Sequence, residues 1–170
     1  MKGLTVYLRL EPYLRQWLTH HFGSPVRFPS RSYENMLLHR LLSRPAAGAT
    51  TATGPHCPPD SVAIVITDHA QRRPEYWCHL SRRAQAEMAR AVANLFCLAL
   101  WSECVSLIHS GTLNRGIDSW CQANGIALIY REGVRQKFYR MRRLYAQNGV
   151  IIGKKYTHAS GNNHTHTLHP

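Results

Sequence analysis

"SRRAQAEMARAVANLFCLALWSECVSLIHSG", Ser81–Gly111, is the longest helical pattern in the chain. Ala84, Met88, Val92, Leu95, Ala99 and Cys104 recur near helical spacing, and the stretch becomes apolar all round near its centre. A helix of that kind is buried among other elements rather than laid on a surface. The pattern predicts a central core helix over 81–109, opened by Ser81 and stopped by Gly111. Its most apolar part, Ala91–Trp101, contains Asn94 and ends at Ser102-Glu103. A bilayer crossing takes about 20 residues, so this run reads as core, and no membrane is expected.

Upstream, Ser61–Asp68 ("SVAIVITD") is a continuous β-branched run, the pattern of a strand covered on both faces. "EYWCHL" (Glu75–Leu80) is its nearest partner, which would make a hairpin, although Pro74 interrupts the approach. At the N-terminus "LTVYLRL" alternates, with Leu4, Val6, Leu8 and Leu10 on one face. "EPYLRQWLTHHFG" then predicts a helix with Pro12 near its start, a stripe of Leu14, Trp17 or Leu18 and Phe22, and Gly23 as its stop. "SRSYENMLLHRLLSR" predicts a second helix, capped by Ser30 or Ser32, with Tyr33, Met36, Leu37, Leu41 and Leu42 inward. Pro45–Asp60 is rich in Pro, Gly, Ala and Thr and reads as a flexible linker or loop.

The chain has 170 residues, enough for one domain with a real core, or a compact domain with an appended module. Lys and Arg number 21 against 9 Asp and Glu, a net charge of +12, which points to a polyanionic partner. Residues 1–44 carry +5, residues 45–110 are neutral, and residues 111–170 carry +7. Cys57, Cys78, Cys97, Cys104 and Cys121 contain no CxxC pair and cannot all be bridged within one chain. With no secretory leader pattern at the start, a reduced, cytoplasmic setting is the expectation.

Within the basic C-terminal part, "NRGIDSWCQANG" has an apolar face of Ile117, Trp120 and Cys121, extended by Ile126, with Asn114 or Asp118 placed to cap its start. Asn124-Gly125 is a left-handed termination signal. Beyond it Val134, Phe138, Met141 and Tyr145 form one helical stripe, while Arg131, Arg135, Lys137, Arg140, Arg142 and Arg143 lie off it. An ordinary solvated helix would mix signs; here Glu is nearly absent. "NGVIIGKKY", carrying Lys154 and Lys155, follows as a short strand or wing, and "THASGNNHTHTLHP" reads as a disordered tail.

This arrangement resembles the helix-turn-helix of bacterial and phage DNA-binding proteins, and the whole chain looks like small proteins of bacterial mobile elements. On that resemblance Gly125 matches the turn glycine, Val134 and Phe138 the inward positions of the second helix, and Arg131, Arg135 and Gln136 its groove-facing start. The stretch between Gly125 and Val134 departs from the family, whose turn takes about three residues. Arg would read guanine and Gln adenine, while Lys and further Arg neutralise phosphates. Six to eight such contacts among Arg131 to Lys155 would give log K against log salt a slope on the order of −5 to −7. Tyr130, Tyr139 and Tyr145 interleave with the cations and offer stacking on unpaired bases instead.

Other constellations read more simply. His56-Cys57 and Cys78-His79 are adjacent pairs, a spacing at which two side chains seldom reach one zinc ion, so no metal is expected. Asp68, His69 and Glu75 sit at a predicted strand end, but no second acidic cluster, Gly-rich phosphate loop or nucleophile motif accompanies them. The expectation is therefore an α+β fold, a small sheet or hairpin packed on a long central helix, with a C-terminal helix-turn-helix-like basic module. Its parts are a basic strand-helix-helix region over 1–44, a linker over 45–60, strand and core helix over 61–112, the basic module over 113–155 and a disordered tail over 156–170. The expected function is nucleic-acid binding without cofactor or chemistry, foremost as a DNA-binding regulator or accessory factor of a bacterial or mobile-element system, as a monomer or homodimer. The binding residues expected are Arg131, Arg135, Gln136, Lys137, Tyr139, Arg140, Arg142, Arg143, Lys154 and Lys155. The alternatives are an RNA or single-strand binder, a structural or scaffold protein of a phage or complex, and a metal-dependent nuclease acting through Asp68 and Glu75.

Overall fold

Alternation at the N-terminus resolves into β1 (Thr5–Arg9) in the computed structural model, which describes residues 4–46, 57–69 and 72–150. Val6, Leu8 and Leu10 are buried and Arg9 is exposed, as a one-sided strand requires. The linker expected over 45–60 falls largely outside the described residues, as do Lys154, Lys155 and the tail.

β1 pairs antiparallel with β2 (Ser61–Val65), in a register that sets Val6 opposite Ile64 and Leu8 opposite Val62. The hairpin expectation fails here. Glu75–Leu80 does not pair with β2; His79 makes one isolated antiparallel bridge, to Ser43. The other edge of β2 is taken by Val26, whose N–H donates to the Ala63 carbonyl at 2.8 Å and whose carbonyl accepts from the Val65 N–H at 2.9 Å. Backbone groups of a buried strand thus find partners on both sides. Val62, Ile64, Val65 and Ile66 are all buried, which is why the run is apolar without alternation.

Helix α1 (Pro12–Phe22) starts at a proline, where a missing N–H costs nothing, and buries Tyr13, Leu14, Trp17 and Leu18. Gly23 ends it at φ +80°. Helix α2 (Tyr33–Leu41) is capped by the Ser32 hydroxyl, which accepts from the Asn35 N–H at 3.2 Å. Its inward face is Asn35, Leu37, Leu38 and His39, and Tyr33 and Met36, expected inside, are exposed. Two polar residues have displaced two apolar ones, for a reason given below.

Helix α3 (Arg82–Cys104) is the long central element, capped by Ser81 and continued by a 3-10 turn, Val105–His109. Its buried line is Ala84, Met88, Ala91, Val92, Phe96, Leu100 and Cys104; Leu95 and Ala99 sit at its margin. Phe96 is the hub, edge-on to Tyr13 at 5.2 Å, to Trp17 at 5.5 Å and to Trp120 at 5.5 Å. Such aromatic contacts tie α1 and the later helices to α3 beyond the area they bury. By length and composition Arg82–His109 could also cross a membrane, with more apolar length than Ala91–Trp101 alone provides. In this fold its buried line joins the core, and 28% of its most apolar window is buried. Burial raises the thiols of Cys104 and Cys121, side by side, to about 11, so both stay protonated.

Helix α4 (Leu113–Ala123) and helix α5 (Arg131–Gln147) are the last elements of the described residues. Val134 and Phe138 of α5 belong to the same continuous apolar cluster as Leu8 of β1 and Leu18 of α1. The fold is mixed α+β: the described residues form five α-helices and a two-stranded antiparallel sheet, with one long helix at the centre.

Candidate nucleic-acid interface

The α4–α5 pair is built by one termination device and two anchors. α4 buries Leu113, Ile117, Trp120 and Cys121 on one side. Its end follows from Gly125 at φ +71°, which lets the Ile126 N–H turn back to the Cys121 carbonyl at 2.8 Å while the Ile126 side chain returns to the core. Neither expected cap is used as one. Asn114 instead accepts from the Tyr139 hydroxyl at 2.8 Å, and Asp118 is engaged by Arg135.

α1 holds the turn in place. Gln16 Oε1 accepts from the Ala127 N–H at 2.9 Å, and His21 Nε2 lies 2.7 Å from Asn124 Oδ1, whose amide is buried. A Cβ on Gly125 would stand 2.8 Å from His20 Nδ1 and 3.0 Å from His20 Cβ. Gly125→Ala should therefore cost about 1–2 kcal/mol from the positive φ alone, with more from the contact. Chemical denaturation of G125A beside H20A/G125A checks this: the double variant recovers the contact part only. The chain then runs through a 3-10 turn, Leu128–Tyr130, so the connection is longer than the about three residues of the family it resembles.

α5 is anchored by Val134 and Phe138, with Met141 half-buried beside them. Phe138 stacks on Trp101 at 5.1 Å, and Tyr145 covers the same indole at 4.8 Å. From Arg142 to Val150 every residue is exposed, although the Tyr145 ring still lies against Trp101.

The expected cations divide into two groups. Arg135 is half-buried and bidentate on Asp118, with Nε 3.0 Å from Oδ1, and its third nitrogen is 3.6 Å from Glu132. The hydrogen bond to Asp118 raises its pKa and holds it charged. Lys137 donates to the Tyr13 hydroxyl at 2.9 Å. Burial and the neighbouring Glu11 carboxylate keep that phenol protonated well above its ordinary range. Both cations are employed inside the fold, contrary to their expected place on the open surface.

Arg131, Gln136, Arg140, Arg142 and Arg143 are exposed, and Tyr139 is 39% exposed beside them. Steps of four and seven align Gln136, Arg140 and Arg143 on one outward stripe, and a step of eleven aligns Arg131 with Arg142 on another. Asp118 and Glu132, the two acids of residues 111–170, are both taken by Arg135. Among the described residues no carboxylate forms an ion pair with Arg131, Arg140, Arg142 or Arg143. Arg115, outside the expected set, is also exposed and unpaired on α4; its position off the α4 stripe was its one visible signal. Lys154 and Lys155 lie outside the described residues.

Asp68, His69 and Glu75 line a depression of about 520 Å³ with Arg73 and Tyr76. Among the described residues no three His, Cys, Asp or Glu side chains converge as a metal would need. No family model matches the chain, and neither a curated protein nor a solved structure matches it.

Proposed function

We propose that the protein binds nucleic acid, duplex DNA foremost, by laying the outward side of α5 along the phosphates, as a regulator or accessory factor. The observation that carries this is the set of four exposed arginines on two stripes of α5, with both acids of residues 111–170 already committed to Arg135. An excess of one sign on a projecting helix concentrates potential where a polyanion can dock. Arg131 and Gln136 supply bidentate groups toward base edges, and Arg140, Arg142 and Arg143 supply phosphate contacts. Four arginines alone give only weak, sequence-independent affinity, so we infer that two copies act together on paired half-sites.

The test is a salt-titrated binding assay on duplex DNA, single-stranded DNA and RNA of one sequence. For the duplex, log K against log salt should fall with a slope of about −3 for each bound copy, near 0.9 for each of Arg140, Arg142 and Arg143. A slope shallower than about −1 rules out phosphate contact by this helix. A single-strand reading has one supporting observation, the partly exposed Tyr145 ring tilted over Trp101, on which a base could stack. In that case Tyr145→Ala weakens binding more than Arg140→Gln, and the single strand outcompetes the duplex.

A further inference from the structure

A buried polar cluster joins α2 to the chain leaving β2, and it explains why Asn35 and His39 face inward. His39 is 6% exposed, with Nε2 2.9 Å from Thr67 Oγ1. The Thr67 hydroxyl already donates to Asn35 Oδ1 at 3.1 Å, and Asn35 Nδ2 donates to the Ser30 carbonyl at 3.0 Å. Hydrogen order therefore runs one way, and Thr67 can only accept from His39, so Nε2 carries the ring proton. Nδ1 is left as a bare lone pair, buried and without a partner. Burial, then His69 and Arg72, lower the pKa of His39, which keeps the ring neutral and Nδ1 an acceptor.

Cations gather at the same place. Arg72 donates through Nη1 to the His39 and Arg40 carbonyls and lies 4.7 Å over the Trp77 ring. Its other nitrogens have no hydrogen-bond partner among the described residues, and no carboxylate there pairs with it. His69, itself exposed, covers the His39 ring at 4.9 Å. Asn35, His39, Arg40, His69 and Arg72 wall a pocket of about 400 Å³, within the size range of small-ligand sites. A polar staple between α2 and β2 requires neither an orphaned acceptor nor an unpaired guanidinium beside it.

We propose that this pocket binds a small phosphate ester carrying a free hydroxyl, a ribonucleotide or a sugar phosphate. The phosphate meets Arg72, and Arg40 once it exchanges its 2.8 Å ion pair with Glu87 for the ligand, and the hydroxyl donates to His39 Nδ1 once the His69 side chain swings aside. None of these residues belongs to α4 or α5, so the pocket is independent of the proposed nucleic-acid surface.

Calorimetry on the full chain with adenosine 5′-monophosphate, ribose 5-phosphate and sulfate tests this. At least one phosphate ester should bind about tenfold or more tighter than sulfate, an anion with no hydroxyl to donate. The tighter of the two tells whether the base adds contacts or the sugar phosphate suffices. His39→Gln places an amide N–H where Nε2 was and offers no acceptor at the Nδ1 position. It should melt like the parent and bind the ester about tenfold more weakly, while Arg72→Gln weakens ester and sulfate alike. Nitrogen NMR of the parent chain reads His39 directly, whatever the variants do: Nδ1 should be unprotonated and should shift on titration with the ester. No ester binding at millimolar concentration, undiminished binding in H39Q, or a protonated Nδ1 in the free protein would each overturn the proposal.

Discussion

Phe138→Ala should destabilise the protein by about 3–5 kcal/mol and abolish nucleic-acid binding, although it removes no charge. Phe138 is fully buried and stacked on Trp101. Truncating a buried Phe removes its transfer free energy and leaves a cavity, which together give costs of that size. The loss is unusually local here. α5 has only Val134 and Phe138 fully buried, with Met141 half-buried, so Phe138 is its largest apolar anchor. A domain of this length is typically stable by 5–15 kcal/mol, so β1, α1 and α3 should stay folded while α5 loosens. Denaturation should show the loss, and hydrogen exchange should place it in residues 131–147. A cost below about 1 kcal/mol would mean that Trp101 closes the gap and that α5 is held by something else.

The same helix shows how far the sequence could be read. The spacing of Val134, Phe138, Met141 and Tyr145 predicted its inward stripe, and burial then fades along it, from complete at Phe138 to 40% exposure at Tyr145. Periodicity reports which side faces the body; it does not report where the body ends. The inward line of α3, with Ala84, Met88, Val92 and Cys104, was legible for the same reason. The partner of β2 was not, because pattern reasoning favours a neighbour in the chain, whereas Ser61–Val65 pairs with Thr5–Arg9. α2 misled differently. Tyr33 and Met36 rank above Asn35 and His39 by hydrophobicity, but Thr67 hydrogen-bonds to Asn35 Oδ1 and His39 Nε2 from 32 and 28 residues away. In the candidate interface, the cationic character of α5 was plain, yet the division of labour was not. Arg135 and Arg131 are alike as residue types; only the approach of Asp118 from α4 makes one a strut and leaves the other open.

That division sets the second large effect. Replacing Arg131, Arg140, Arg142 and Arg143 together with Gln should lower duplex affinity by roughly two to three orders of magnitude at physiological salt and nearly flatten the salt dependence. Folding stability should stay within about 0.5 kcal/mol, as expected for surface positions with no partner to lose. Gln keeps the helix propensity of Arg, and removing like charges relieves self-repulsion. Arg135→Gln should behave in the opposite sense. It strands Asp118 and Glu132 without their cation, so the thermal midpoint falls while the four outward arginines remain. Binding weakens there through the two released carboxylates, and substituting both acids as well should restore it. The two variants therefore separate a contact surface from a strut. If the fourfold variant binds as tightly as the parent in a salt titration, the polyanion does not dock on α5. If R135Q leaves the thermal midpoint unchanged, the ion pair to α4 contributes nothing to the placement of that helix.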